Sequence, residues 1–292
     1  MSRIAYVNGR YVPHSQATVH VEDRGLQFAD GVYEVVALWR GLPVDLGPHL
    51  DRLETGLAYL RIPMPMSRRA LALVLRETVR RNGIRTGIVY LQINRGVAPR
   101  LHTWGDDLSP SVIVTARRMA SLARPTIEEG VKVISVPDIR WKRRDIKTVG
   151  LLANVLAKQQ AHEAGCPEVY QVDDDGMVTE AGSSNAWMVD ADGRLITRPL
   201  GHEILPGITR QRLIVLARAA GMEVVERPFS LDEAKRARES FFSSTTNFVM
   251  PVVQVDDAVI GNGRPGSVSG ALRALYMDYL KDLPADAWTA AT

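Results

Sequence analysis

Apolar and polar positions alternate along this chain with two different periods, and the two periods lay out its elements. Ile4–Val7 and Arg10–Val12 flank Asn8-Gly9, the dipeptide of a tight hairpin. Val32–Trp39 is a strong strand pattern, turned by Arg40-Gly41 into Leu42–Leu46. Leu50, Leu53, Leu57 and Leu60 recur at helical spacing after Pro48, with Arg52 beside that stripe. Ser67 caps a second helix that reaches about Asn82 and stops at Gly83. Gly87–Asn94 and Ser111–Arg117 read as strands on either side of a loop, Arg95–Trp104.

Met119–Glu129 carries Pro125 and few periodic apolar residues, and reads as a linker. Beyond it Val131–Val136 alternates as a strand. A helical pattern over 151–164 places Leu151, Leu152, Val155 and Leu156 on one face, and Gly165 stops it. Strands near 168–173, 177–180 and 185–190 are separated by Asp173-Asp-Asp-Gly176 and Gly182-Ser-Ser184. Leu205-Pro-Gly-Ile-Thr209 opens a helix that buries Leu213, Ile214, Leu216 and Ala217 and ends at Gly221. Val224-Val225 reads as a strand, 231–238 as a short helix, and 240–243 as a strand running into Ser244-Thr-Thr-Asn247. A last helix follows Gly266. Strands outnumber helices and hairpins are frequent, which predicts an α+β chain in two parts. The parts are 1–118 and 130–283, joined by 119–129 and followed by a frayed tail, 284–292.

The chain of 292 residues is long enough to bury a sizeable core in each part. A net charge of +3, scattered along the sequence, gives no nucleic-acid footprint; only Lys142-Arg143-Arg144 clusters, and an anionic small molecule is the more economical partner. Cys166 is the single cysteine, so no internal disulfide and no cysteine-based metal site can form, and the six histidines show no metal-ligand spacing. The start, Met-Ser-Arg-Ile-Ala-Tyr-Val, lacks the apolar core of a signal peptide and no run reaches membrane-spanning length, so the cytoplasm is the expected compartment.

The candidate chemistry centres on Lys147. It follows the strand 131–136 in a basic connection ahead of the 151–164 helix. A positive helix end and the neighbours Lys142, Arg143 and Arg144 favour the neutral amine, the form that attacks a carbonyl. A lone lysine in such a loop is more often a solvated charge, and other segments must decide. Gly207-Ile208-Thr209 at a helix N-terminus, Ser244-Thr245-Thr246 with three hydroxyls, and Arg52 with its forked cation each suit a phosphate. Taken singly, each also reads as an ordinary cap, turn or surface arginine. Glu180, next to small residues, can face a flat ligand and hold a ring nitrogen protonated, or be a plain turn glutamate. Arg100 and His102, two apart in an extended loop, project to one side and suit a carboxylate. No phosphate-binding Gly-Lys loop and no Gly-x-Gly-x-x-Gly follows a strand, which disfavours nucleoside triphosphates and dinucleotides.

These residues in this order resemble the class IV (fold-type IV) pyridoxal-phosphate-dependent aminotransferases, on their D-amino acid branch. The resemblance runs from Glu22-Asp-Arg-Gly-Leu-Gln-Phe-Ala-Asp-Gly-Val-Tyr-Glu-Val-Val36 through Asp51-Arg-Leu53, Arg95-Gly-Val-Ala-Pro-Arg-Leu-His102, Asp138-Ile-Arg-Trp141, Asp145-Ile-Lys147, Val178-Thr-Glu180, Ile204–Arg210 and Ser243–Thr246. It implies a smaller N-terminal α/β sandwich and a larger C-terminal domain with a β-barrel-like sheet. It implies pyridoxal 5'-phosphate held by Lys147 as a Schiff base, with Glu180 at the ring nitrogen. Arg52, Ser184, Leu205, Gly207, Ile208, Thr209, Ser244 and Thr245 complete the implied cofactor set. Tyr33, Val35, Arg100, His102 and Thr246 form the implied substrate set, with Arg100 and His102 reaching in from the neighbouring subunit of a homodimer. The implied reaction is ping-pong transfer of an amino group from a D-alanine-like donor to 2-oxoglutarate. Branched-chain L-amino acid transamination and aminodeoxychorismate cleavage are the alternatives on the same frame; a cofactor carrier without turnover is the remaining one. Pro206, and Ala181-Gly182 after Glu180, depart from the family pattern.

Overall fold

The computed structural model describes residues 3–119 and 125–289. The chain divides into two compact units, Met1–Ser121 with Ile146–Gly150 and Asp282–Thr292, and Leu122–Asp145 with Leu151–Lys281.

Among the described residues the first unit holds one six-stranded sheet. Its strands are β1 (Ile4–Val7), β2 (Arg10–Pro13), β3 (Gly31–Trp39), β4 (Leu42–Pro43), β5 (Gly87–Asn94) and β6 (Ser111–Arg118), in the order β2-β1-β6-β5-β3-β4 with every neighbour antiparallel. Asn8-Gly9 and Arg40-Gly41 turn with φ of 44° and 90°, and 52° and 89°, the left-handed backbone that a two-residue hairpin needs. A short helix, α1 (Arg24–Phe28), precedes β3; its pattern is too brief to read from sequence. Two longer helices, α2 (Leu46–Tyr59) and α3 (Arg68–Arg81), bury Leu50, Leu53, Leu57, Leu71, Leu75 and Val79 against Val32, Val36, Leu38, Leu91, Ile93 and Val114 of the sheet. Ser67 caps α3 by accepting the Ala70 N–H at 3.2 Å. Leu60, expected on the stripe, falls at the C-cap.

In the second unit the described strands form a mixed nine-stranded sheet, β7 (Val131–Pro137), β8 (Glu168–Val172), β9 (Val178–Ala181), β10 (Asn185–Val189), β11 (Leu195–Thr197), β12 (Val224–Glu226), β13 (Glu239–Ser244), β14 (Phe248–Val255) and β15 (Ala258–Val259). The order is β12-β11-β10-β13-β14-β7-β8-β9, with β15 beside β14 and parallel pairing at β11–β12, β14–β7 and β7–β8. The sheet curls into a half-barrel that brings β10 back beside β9. Its helices are α4 (Pro125–Glu129), α5 (Leu152–Glu163), α6 (Ile208–Ala219), α7 (Leu231–Lys235) and α8 (Ser267–Lys281). Strand β14 has no counterpart in the sequence reading, because Pro251 interrupts it; the proline nevertheless sits opposite Phe241, inside the sheet.

Several expectations are corrected. Of the linker 119–129, residues 120–124 lie outside the described residues, and its far end is α4. Lys147 belongs with the first unit and not with the C-terminal part. The face of the 151–164 helix that carries Leu151, Leu152, Val155 and Leu156 is the exposed one: Leu152 is 72% and Val155 59% exposed, and the buried positions are Ala157 and Ala161. Small alanines let α5 lie close to β8, and the large residues are turned outward. The tail is not frayed as a whole. Trp288 is 8% exposed, belongs to the core of the first unit, and donates its indole N–H to the Gly41 carbonyl at 3.0 Å. Truncating this side chain leaves a cavity and an unpaired carbonyl. Trp288→Ala is expected to lower the unfolding free energy by about 3 kcal/mol, measured by urea denaturation.

Candidate active site

In the first unit the candidate residues are ordered by the period of β3. Tyr33 and Val35 share one face of the strand, while Val32, Glu34 and Val36 are buried on the other. Residues 147–149 run beside it as an extended segment: the Tyr33 N–H donates to the Lys147 carbonyl at 3.0 Å, the Val149 N–H to the Gly31 carbonyl at 3.1 Å, and Thr148 bridges Val32. Lys147 Nζ lies 4.3 Å from the Tyr33 ring centroid, on the Tyr33–Val35 side. The lysine is therefore set by strand pairing and not by a helix end, since α5 begins only at Leu152. The basic neighbours are engaged elsewhere as well. Arg143 pairs with Asp145 at 2.9 Å and Arg144 with Asp138 at 3.1 Å.

On the buried face Glu34 takes Arg52 in a fork, Nε and Nη2 each donating at 2.8 Å, and His49 Nδ1 lies 2.7 Å from its Oε2. Arg52 is thus a partly buried partner of Glu34 and not a solvated surface arginine. Burial pushes the Glu34 carboxyl up, but Arg52 and then His49 outweigh it and hold it at about 2. Burial also pushes His49 below the ordinary imidazole range.

Arg100 and His102 are exposed, and both rest on the ring of Phe28, at 4.9 Å and 5.5 Å between centres. A row of side chains on β5 runs beside Tyr33. Tyr90 lies 5.6 Å from it, ring to ring, and donates to Gln92 Oε1 at 2.7 Å; Gln92 in turn donates to Asn94 Oδ1 at 2.7 Å.

In the second unit Glu180 lies within β9 and is buried. Its Oε1 accepts from Asn185 Nδ2 and from the Leu205 N–H, both at 2.9 Å, and its Oε2 pairs closely with Arg140. Asp138 holds Arg140 from the other side at 2.8 Å and accepts the Thr179 hydroxyl at 2.6 Å. Burial pushes Glu180 up despite Arg140. Burial also disfavours the Arg140 charge, but the Glu180 and Asp138 carboxylates more than restore it. A buried carboxylate with raised proton affinity suits a protonated ring nitrogen.

Asn185 also donates to the Leu205 carbonyl at 3.0 Å, and a Cβ on Gly207 would meet its Oδ1 at 1.9 Å. Glycine at 207 is thus required by the close approach of Asn185. Gly207 is the N-cap of α6 and provides no side-chain cap, so the N–H groups of the first turn, including those of the buried Ile208 and Thr209, point out of the helix without an intrahelical acceptor. Ser244 ends β13, Thr245 and Thr246 lie in the turn to β14, and Ser244 Oγ accepts the Asn247 N–H at 3.2 Å. The Asn185↔Ser243 register places that turn at the Glu180 end of the sheet. An uncapped helix start and a hydroxyl turn fit a phosphate. Ser184, expected with them, is buried, its hydroxyl 3.4 Å from the Glu168 carboxylate.

The structure thus gathers Tyr33, Val35, Arg52, Lys147, Arg100 and His102 in one unit, and Glu180, Ser184, Leu205, Gly207, Ile208, Thr209 and Ser244–Thr246 in the other. Sequence reading assigned nothing to Glu34, His49, Arg140 or Asn185. Arg140 stands in the quoted run Asp138-Ile-Arg-Trp141, and its spacing of two from Asp138 was the available signal.

Residues 31–255 match the amino-transferase class IV family, and the chain belongs to it. The D-alanine aminotransferase of Bacillus licheniformis is 40% identical over 264 residues, 90% of this chain and 92% of that protein. That of Listeria monocytogenes serotype 4b (strain F2365) is 38% identical over 274 residues, 93% and 94% of the two chains. Among solved structures, the branched-chain amino acid aminotransferase of Escherichia coli superposes with a TM-score of 0.88 at 27% identity, covering 96% of this chain and 95% of that one. The T.th. branched-chain amino acid aminotransferase with pyridoxamine 5'-phosphate superposes with a TM-score of 0.89 at 26% identity, over 99% and 98%.

The Glu34 pair carries a pH dependence. A carboxyl depressed from 4.5 to about 2 adds stability that is present above pH 4.5 and lost as pH falls through 2. Denaturant midpoints followed from about pH 7 downward should show a loss on the order of 3 kcal/mol over that window. Glu34→Gln should be less stable at neutral pH and should flatten the acid limb.

Proposed function

We propose that this protein is a pyridoxal-phosphate-dependent D-amino acid:2-oxo acid transaminase of the D-alanine type. The observation that carries the reading is the buried Glu180 carboxylate, fixed by Arg140, Asn185 and Leu205 at the sheet end that also bears the uncapped start of α6 and the hydroxyl turn. The D-alanine aminotransferases at 38–40% identity support the choice of donor.

Bound in this frame, pyridoxal phosphate supplies a protonated pyridine ring that draws electrons from the substrate alpha carbon. Lys147 holds the cofactor through its amine and then removes and returns the alpha proton. Glu180 keeps the ring nitrogen protonated. Arg140 and its partner Asp138 keep Glu180 in place. The N–H groups of Ile208 and Thr209 and the hydroxyls of Ser244 and Thr245 hold the phosphate, Gly207 and Leu205 shape the approach, and Arg52 adds a cation oriented by Glu34. Ser184 acts through Glu168. Tyr33, Arg100 and His102 receive the substrate carboxylate, and Val35 and Thr246 flank the side chain. Amino donor and oxo acceptor use one carboxylate trap in turn, which makes the cycle ping-pong.

The active form is a homodimer, and the exposed Leu151, Leu152, Val155 and Leu156 of the α5 region provide an apolar surface for an identical chain to cover. Among the described residues no helix is long and apolar enough to cross a membrane. A single cysteine suits a reducing cytoplasm.

Branched-chain transamination is the second reading, favoured by the solved structures above. Purified protein mixed with D-alanine should lose its visible cofactor absorbance, and 2-oxoglutarate should restore it with D-glutamate formed. Loss with L-leucine and none with D-alanine would establish the branched-chain reading, and pyruvate from aminodeoxychorismate without an acceptor would establish the lyase. Lys147→Ala should fold normally and lose turnover by a factor on the order of a thousand or more. Arg100→Ala removes one charge-assisted contact and should raise KM for D-alanine by about tenfold to a hundredfold with cofactor loading intact; an unchanged KM takes Arg100 out of the site.

A further inference from the structure

Arg24 is 3% exposed and lies in the first turn of α1, and none of the roles above uses it. Its Nη1 donates to the Leu101 carbonyl at 2.6 Å and to the Thr103 carbonyl at 3.4 Å, and its Nη2 to the His102 carbonyl at 3.4 Å. Its Nε donates to Asp30 at 2.8 Å. The same guanidinium lies 4.8 Å from the centroid of Phe28, the ring on which Arg100 and His102 rest. One buried cation therefore grips three consecutive carbonyls of the loop that bears the candidate carboxylate donors, together with the ring beneath their side chains.

The grip is itself anchored. Asp30 also takes Arg95, whose guanidinium lies 3.8 Å from the Trp104 ring at the loop's far end. Asp23 starts α1 by accepting the Gly25 N–H at 2.8 Å, and its Oδ1 also accepts Asn94 Nδ2 at 2.7 Å. Gly25 passes so near Asn94 that a Cβ would come within 2.1 Å of its Cγ. Arg24 thus leaves a helix start fixed by hydrogen bonds and reaches residues 101–103, which belong to no strand; the loop's backbone bridge to that helix start lies earlier, at Asp23↔Val97. Ordering such a loop costs backbone entropy, which a planar fork with several donors offsets and a single ammonium cannot.

We propose that Arg24 is the positioning residue of substrate-carboxylate recognition, holding the backbone at 101–103 so that Arg100 and His102 present their donors in one geometry. This rests on reading those two residues as the carboxylate trap.

The test uses the cofactor-loaded full chain. Arg24→Met should raise KM for D-alanine about tenfold, with kcat changed less than about twofold and cofactor absorbance unaltered. In an Arg100→Ala background the same substitution should add clearly less than it costs alone, because the part of its effect that acts through Arg100 is already lost and only the part through His102 is left. Trypsin cleavage after Arg100 should become about tenfold faster in Arg24→Met, a readout independent of turnover. Arg24→Lys should fall between the two, and it replaces the methionine variant should that fail to fold. An unchanged KM in Arg24→Met, or losses that simply multiply with Arg100→Ala, would overturn the assignment. If Arg100→Ala alone leaves KM unchanged, the carboxylate trap falls and Arg24 with it; if Arg100→Ala raises KM and Arg24→Met does not, the role of Arg24 alone falls.

Discussion

Burying a carboxylate costs several kcal/mol unless a cation and hydrogen-bond donors are buried with it. Glu180 and Glu34 are both buried, and the surroundings of each follow from that cost. Glu180 requires Arg140; Arg140, itself largely buried, requires Asp138; Asp138 draws in Thr179 and Arg144. Glu34 requires Arg52, with His49 closing the group. Such networks hold each charge in place before any ligand arrives, and preorganised charge is what a site that stabilises developing charge needs.

The second constraint is the period of two in a strand. It puts Tyr33 and Val35 on the face that meets Lys147, and sends Glu34 the other way, where it can orient Arg52. On β5 the same period lines up Tyr90, Gln92 and Asn94 as a hydrogen-bonded row that ends on Asp23. Burial, and after it the Tyr33 phenol, pushes Tyr90 up to about 12, so at neutral pH it remains a donor to Gln92. Lys147, Tyr33, α1 and Arg24 are therefore tied to one sheet, whose rigidity they share.

The hydroxyl turn shows a third device. Phe248 begins β14 with a φ of 58°, a conformation that costs a non-glycine residue about 1–3 kcal/mol. Arg273 of α8 donates to the carbonyls of Asn247 and Val249 at 3.0 Å each and clamps the residue from both sides. The turn keeps Ser244, Thr245 and Thr246 at the end of the sheet because a helix from elsewhere in the unit offsets the strain.

Local pattern was enough to read the hairpins, β3, β5, α2 and α3, because period, turn residues and caps act between neighbours in the chain. It also singled out Lys147, Glu180, the start of α6 and the 244–246 turn as candidates, from residue type and local setting alone. It missed β14, where sheet pairing overrides Pro251, and it left open which face of α5 is hidden, the alanines lying inward while the leucines face out. It could not find Arg140 beneath Glu180, Glu34 beneath Arg52, Arg24 beneath the 101–103 loop, or Trp288 docked at Gly41. Those pairings join residues between 18 and 247 positions apart. Which cation meets which carboxylate, and which face of a helix is hidden, depends on the free energy of burial in three dimensions, and only the tertiary structure decided it.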